Sequence, residues 1–422
     1  MTDDRIADDL DAYRADARAW LDANVPLRDG PSLRASDLTA DQVAEGRALQ
    51  RRIFDAGYAG IALPREYGGQ GLTKRHERIW MEESSAHALP MPAGVASAVT
   101  VGIVLPTLLA HAGEEQKRAW VPKLLSGEEI WVQLLSEPGA GSDLAGLLTR
   151  ATRDGDSWVL NGTKVWSSGA LHADYGICLA RTNWDVPKHR GLSWFKVPLN
   201  DPRVTVRPIR EINGSSEFCE EFLDDVVVTD DMVIGDVDAG WAIANFMLAV
   251  ERGAAGGEGG GGGGGSRRLA PDLVELAEAR GVAGDAAIRQ LVARAHIDDW
   301  MQAQLTKRTV QAIMGGHADP SAASLIKLGL GVMQPLRAAA AMEIAGRQGL
   351  AWKEGSAGHG AAVGFLNGRI MSIAGGSNQI QRNIVSERLL GLPREPSVDG
   401  DRPFRDVLRD AKSWGQRPAT PG

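Results

Sequence analysis

The repeat of apolar residues changes twice along this 422-residue chain, and that restricts it to a helical, then sheet, then helical order. From residue 1 to about 127, segments such as DDLDAYRADARAWLDANV and DQVAEGRALQRRIFDAGYAG space apolar side chains three and four apart and stop at glycine or proline. Between 128 and 236 the repeat drops to two, in SWVLNGTKVWSS, ADYGICLART, GLSWFKVPL, RVTVRPI and EEFLDDVVV, with turn pairs such as Asp154-Gly155 and Asn161-Gly162 between them. From 237 onward GWAIANFMLAVERGAA, RQLVARAHIDDWMQAQLTKRTVQAIMGG and ASLIKLGLGVMQPLRAAAAMEIAG read as long helices of bundle length. The expected fold is mainly α with a central β-domain: an α-helical N-terminal domain (1–127), an antiparallel β-barrel (128–236) and a C-terminal helical bundle (237–422).

Composition narrows the function classes. The length exceeds what one core organises. Cys178 and Cys219 are the only cysteines, too few for a zinc or iron–sulfur cluster or a disulfide framework. The eight histidines, His172 and His189 included, lack metal-ligand spacing, so no metal is expected. A net charge of −8 argues against nucleic acid as a partner. The acidic start MTDDRIADDLDAYRADARAW does not resemble a signal or transit peptide, and no apolar run suits a membrane span, so a cytoplasmic protein is expected. The run GGEGGGGGGG at 256–265 reads either as a flexible linker or as backbone allowing close approach to a cofactor or helix.

Two neighbouring segments carry chemistry. LLSEPGAGSDLAGL, 134–147, is a Ser-Glu-Pro turn followed by Gly139-Ala140-Gly141-Ser142-Asp143, offering free N–H groups and a hydroxyl to a polar or anionic cofactor edge. NGTKVWSSGA, 161–170, follows; Trp166 and Ser168 lie two apart, on one face of a regular strand, where an indole and a hydroxyl suit a flat heteroaromatic ring. Taken singly, the first is more often a plain turn and the second more often a core tryptophan.

Together these segments resemble the paired flavin-contacting segments of the acyl-CoA dehydrogenase family. IALPREYGGQG, 61–71, and SIAGGSNQIQRNIVSERLLGLP, 372–393, are similar to that family's N-terminal turn and C-terminal signature, in the same order. The resemblance implies a helical domain, a β-barrel and a four-helix bundle, with FAD held between the last two. It implies that Leu135 and Ser136 meet the pyrimidine edge of the flavin, Ser142 the pyrophosphate, Trp166 the isoalloxazine face and Ser168 the region of N5. Ser377 and Gln379 match a further cofactor-contacting pair, and Arg280 a residue that reaches FAD in a neighbouring subunit. Acyl-CoA is the implied substrate, with Ser142 and Arg252 beside it, an electron-transfer flavoprotein the implied acceptor, and a tetramer the implied assembly.

The family's reaction removes two hydrogens from an acyl thioester and leaves a trans-2-enoyl-CoA, so a base must take the Cα proton. In one subgroup the base lies just before the Gly-Ser of the C-terminal signature, which here is Gly375. In a subgroup resembling isovaleryl-CoA dehydrogenase it lies on the first helix of the C-terminal domain, where FMLAVERGAAGG puts Glu251 at the base position and Arg252 after it. Two departures bear on the cofactor: Ala283 stands where an aromatic is expected after Arg280, and Glu343 and Arg347 replace a glutamine and a glycine. Bacterial members built from two unlike chains show similar erosion. The alternatives are a half-site or non-catalytic subunit completing a paralogous partner in a heterotetramer, and an acyl-CoA oxidase or flavin monooxygenase on the same fold.

Overall fold

The computed structural model describes residues 9–27, 38–89, 95–256, 271–397 and 399–414. The glycine run lies outside these residues from 257 onward, as does Glu258 within it. The chain divides into two compact units, one formed by 1–211, 215–244 and 399–422, the other by 212–214 and 245–398.

Among the described residues of the first unit six α-helices precede the sheet: α1 Leu10–Asn24, α2 Ala40–Asp55, α3 Lys74–Ser84, α4 Val95–Val99, α5 Leu105–His111 and α6 Glu114–Ser126. Their starts are set by side chains that satisfy the first N–H groups: Asp9 caps α1, and Thr39 with Gln42 closes a capping box on α2. The turn at 57–71 packs on its own helical neighbours, since a Cβ on Gly68 would meet Pro122 of α6 and Phe54 of α2 at 3.2 and 3.3 Å.

Eight strands follow: β1 Trp131–Leu134, β2 Arg150–Asp154, β3 Ser157–Ser168, β4 Tyr175–Arg181, β5 Leu192–Pro198, β6 Val204–Pro208, β7 Phe218–Thr229 and β8 Val233–Ile234. They form one sheet in the order β6-β7-β3-β2-β4-β5-β8, with β1 on β4. Most ladders are antiparallel, but β1 and β2 each meet β4 in parallel, a detail that alternation along single strands does not carry. Val132, Leu134, Leu160, Cys178, Phe195 and Val226 form the sheet's core, all fully buried. β4 and β5 are buried almost throughout. Helical residues pack on β1: Thr100, beyond α4, both donates to the Trp131 carbonyl (2.8 Å) and accepts from its N–H (3.0 Å). Lys196 on β5 is buried against Trp120, Trp131 and Tyr175 and donates to Glu129 at 3.0 Å.

The second unit holds most of α7 Gly240–Gly256, then α8 Pro271–Ala279, α9 Ala286–Met314, α10 Ala323–Ala345, α11 Arg347–Leu350, α12 Ala357–Asn367 and α13 Asn378–Ile384. Leu273, Ala277, Ala295 and Ile344 form a small buried cluster where α8, α9 and α10 meet. The last helix, α14 Phe404–Trp414, belongs to the first unit: the N–H groups of Phe404 and Arg405 donate to the carbonyls of Val186 and Trp184 at 2.9 and 3.0 Å.

Candidate active site

The 134–149 loop of the first unit is held from beneath by a buried ion pair. Glu137 accepts from the N–H groups of Leu148 (2.6 Å) and Thr149 (2.8 Å) and from Lys164 Nζ (2.9 Å), which also donates to the Leu135 carbonyl at 3.0 Å. Burial pushes the Glu137 carboxyl up, yet Lys164 and the two N–H donors outweigh it and hold the group below its ordinary value. The Val165 N–H donates to the Ser136 carbonyl at 2.9 Å, tying the loop to β3. Leu135 is buried and Ser136 half-buried, while Ser142 is exposed beside Gly139 and Gly141, whose Cβ positions have nothing within 4 Å.

Trp166 and Ser168 do not share a face by simple alternation. The β3–β7 register shifts between Val165 and Ser167, and Trp166 is the extra residue, with φ at +67°. Its indole is 57% exposed and meets Phe218 edge-on at 5.9 Å, while Ser168 is half-buried. A left-handed tryptophan is strained unless its surroundings impose it. The imposing contacts lie inside: the bulge turns Ser167 inward, where its hydroxyl donates to Glu221 Oε2 at 2.9 Å. Glu221 is fully buried, its other oxygen has no partner among the described residues, and burial pushes its carboxyl up to about 8. Glu137 and Lys164 lie inside the two quoted segments but, like Glu221, receive no role from the motifs. Their only sequence signal is a charged residue at an inward position of an alternating strand or turn.

In the second unit Glu251 on α7 meets the C-terminal signature. Gly375 and Gly376 are both left-handed, at φ +62° and +89°, and buried Gln381 of α13 donates to both carbonyls at 3.0 and 3.1 Å. A Cβ on Gly375 would lie 3.1 Å from Glu251 Oε1 and 3.2 Å from Lys327 Cε. The carboxylate therefore stands where a side chain at 375 would begin. Lys327 of α10 is buried and donates to the Met371 carbonyl at 2.5 Å. Burial lowers the Lys327 ammonium while the charge of Glu251 raises it, with a net lowering. Burial likewise lowers Arg252, against Glu251 and with Arg388, and its Nε has no partner among the described residues.

The remaining expected residues scatter. Ser377 caps α13 by accepting from the Ile380 N–H at 3.3 Å, and Gln379 is exposed in its first turn. Arg280 follows the last residue of α8, with its guanidinium 3.5 Å from a Cβ position on Gly346, and its Nε is unpartnered among the described residues. Glu343 and Arg347 are exposed. A cavity of about 730 Å³ in the first unit, lined by Arg150, Trp158, Trp184 and Arg405 among others, includes none of these residues. Among the described residues no acidic, histidine or cysteine group is placed to hold a metal, and no helix is long and apolar enough to cross a membrane.

The sequence matches the N-terminal domain of acyl-CoA dehydrogenase over residues 7–128, the middle domain over 133–226 and the C-terminal domain over 238–390. It is 36% identical to the acyl-CoA dehydrogenase IpdE1 of Mycobacterium tuberculosis across 92% of this chain and 99% of that protein. It is 30% identical to the human mitochondrial short-chain specific acyl-CoA dehydrogenase across 81% and 82%. Among solved structures, the Tcur3481-Tcur3483 steroid ACAD superposes with a TM-score of 0.71 at 28% identity, over 92% of this chain and 98% of that one. With three successive domains matched and a full-length relative above 30% identity, the chain belongs to the acyl-CoA dehydrogenase family of oxidoreductases.

Proposed function

We propose that the chain catalyses α,β-dehydrogenation of an acyl-CoA thioester to the trans-2-enoyl-CoA, with Glu251 as the base. The observation that carries this is the meeting of Glu251 with Gly375. The two base positions implied by the family resemblance lie at one point of the second unit, and only Glu251 brings a proton acceptor there. Glu251 takes the Cα proton and Arg252, beside it, contributes to holding the substrate. Gly375 leaves the carboxylate the room it needs.

The family's FAD fits the residues of the first unit. Gly139 and Gly141 leave open space over the loop, Ser142 is exposed beside them, and Trp166 presents most of its indole outward. Leu135, Ser136, Ser142, Trp166 and Ser168 would hold the group; the family resemblance also assigns Ser377 and Gln379 to it, and Arg280 to the FAD of a neighbouring subunit. When bound, FAD supplies the acceptor for the Cβ hydride, and an electron-transfer flavoprotein is the acceptor that follows.

Ala283 and Glu343 favour a second reading, in which the chain is a half-site or non-catalytic subunit that completes the flavin site of a paralogous partner in a heterotetramer. The solved Tcur3481-Tcur3483 steroid ACAD carries a paired name that supports that assembly, and its designation as a steroid enzyme favours a bulky, steroid-derived acyl group. The test is the absorption spectrum of the purified protein, alone and co-expressed with candidate partners, before and after a steroid-side-chain acyl-CoA or butyryl-CoA. Flavin absorbance bleached by either thioester is expected. Absence of flavin from every assembly would remove the enzymatic reading.

A further inference from the structure

Lys327 has no place in the reaction as derived so far, yet it is 1% exposed and sits beside the proposed base. A lysine buried to that degree is costly unless charge or hydrogen bonding compensates it. One compensation is the Met371 carbonyl at 2.5 Å. That bond ties α10 to the segment leading into Gly375. The other is electrostatic, because the charge of Glu251 acts on the ammonium. The two side chains reach the Gly375 Cβ position from opposite elements, Glu251 Oε1 to 3.1 Å and Lys327 Cε to 3.2 Å.

Coupling of this kind is mutual: whatever Glu251 does to the Lys327 proton, Lys327 does in the opposite sense to the Glu251 proton. We propose that Lys327 is a positioning residue that holds the Gly375 turn against Glu251 and sets the charge state of that carboxylate before substrate arrives. The inference rests on the reading of Glu251 as the base. Arg252 follows Glu251 on its own helix and Lys327 on α10 feels its charge, while Arg388, in the turn that follows α13, acts on Arg252. All three are cationic. Of these, Lys327 is the one that reaches the Gly375 turn from beneath.

The physical consequence is a compromise. An apolar pocket raises a carboxylate's affinity for protons and favours the protonated form, which cannot act as a base. A buried ammonium opposes that rise and favours the ionised form, at some loss of intrinsic basicity. Removing the charge while keeping an N–H donor separates this from a purely structural role.

The experiment uses the assembled, flavin-loaded protein with Lys327→Gln, which keeps an N–H donor on a side chain one atom shorter, Lys327→Met, which has no donor, and Lys327→Arg, which keeps the charge. The first readout is the infrared carboxyl titration of Glu251, isolated by subtracting the Glu251→Gln spectrum. The second is the pH profile of flavin bleaching by the thioester that reduces the wild type. In Lys327→Gln the Glu251 midpoint and the acidic limb of the profile should both move alkaline by about one pH unit or more, as expected for loss of an opposite charge a few ångströms away. Lys327→Arg should return both toward wild type. Lys327→Met should show the same shift with a lower melting temperature. An unshifted midpoint in a folded Lys327→Gln protein overturns the proposal. If Lys327→Gln and Lys327→Met do not fold, a wild-type midpoint in Lys327→Arg supports the charge role and a displaced one overturns it. Wild-type bleaching by Glu251→Gln would instead defeat the base assignment, while the titration would still report the coupling of the pair.

Discussion

Glu251 and Gly375 illustrate how one side chain's absence makes room for another's function. A glutamine at 251 keeps the size and loses the proton acceptor. Glu251→Gln should therefore retain flavin and acyl-CoA binding while flavin bleaching in stopped flow slows by at least about 10²–10⁴-fold. Gly375→Ala tests the same point from the other side. Its left-handed backbone costs an L-residue about 1–2 kcal/mol, and the new methyl would press on the Glu251 carboxylate at 3.1 Å. A lower melting temperature together with slower bleaching is expected, and unchanged bleaching would show that the carboxylate has room elsewhere. Glu251 was legible because a motif surrounds it. Lys327 was not, because a lysine in an apolar helix declares neither its burial nor its neighbour until three segments come together.

At the scale of elements, β3 combines regular pairing with a deliberate irregularity. The bulge at Trp166 exposes the indole and turns Ser167 toward Glu221, so the strand's outer face depends on its buried polar side. Lys164→Met would leave Glu137 buried without its cation, a change that typically costs about 3–5 kcal/mol. Urea unfolding should show that loss, with the 134–149 loop becoming the first site of proteolysis. The two buried acids act oppositely with pH. Glu137 is held below its ordinary value, so its contribution is present above that value and lost as pH falls through its depressed one. Glu221, raised from 4.5 to about 8, contributes most below 4.5 and loses its contribution as pH rises through about 8. Each pH unit in that window costs up to about 1.4 kcal/mol. Glu221→Gln should therefore gain stability over wild type progressively from pH 5 to 8, read from unfolding midpoints; a pH-independent difference would mean that Glu221 is ionised throughout. Alternation of apolar residues announced β3, but a bulge requires one extra residue against a partner strand, and the partner's register is not written in the strand itself.

For the whole molecule, the second unit leaves much apolar surface outward: Trp300 is 58% exposed, Met314 83% and Leu336 59%. On α9, Trp300, Val310 and Met314 recur at helical spacing among exposed positions, which suits burial against another chain. The protein, alone or with a paralogous chain, should elute as a tetramer by light scattering, and Trp300→Asp should reduce the assembly; a wild-type monomer near 45 kDa at micromolar concentration would contradict this. By itself the sequence determined the helical, sheet, helical succession, because hydrophobic repeat is a local property that each segment carries alone. It also determined the family, through motifs whose residues are neighbours in the chain. Only the tertiary structure decided that Glu251, Lys327 and Gly375 share one point, that Trp166 sits on a bulge, and that α14 returns to the sheet. Each of these depends on contacts between segments distant in sequence, and such contacts arise from packing and register that no single segment encodes.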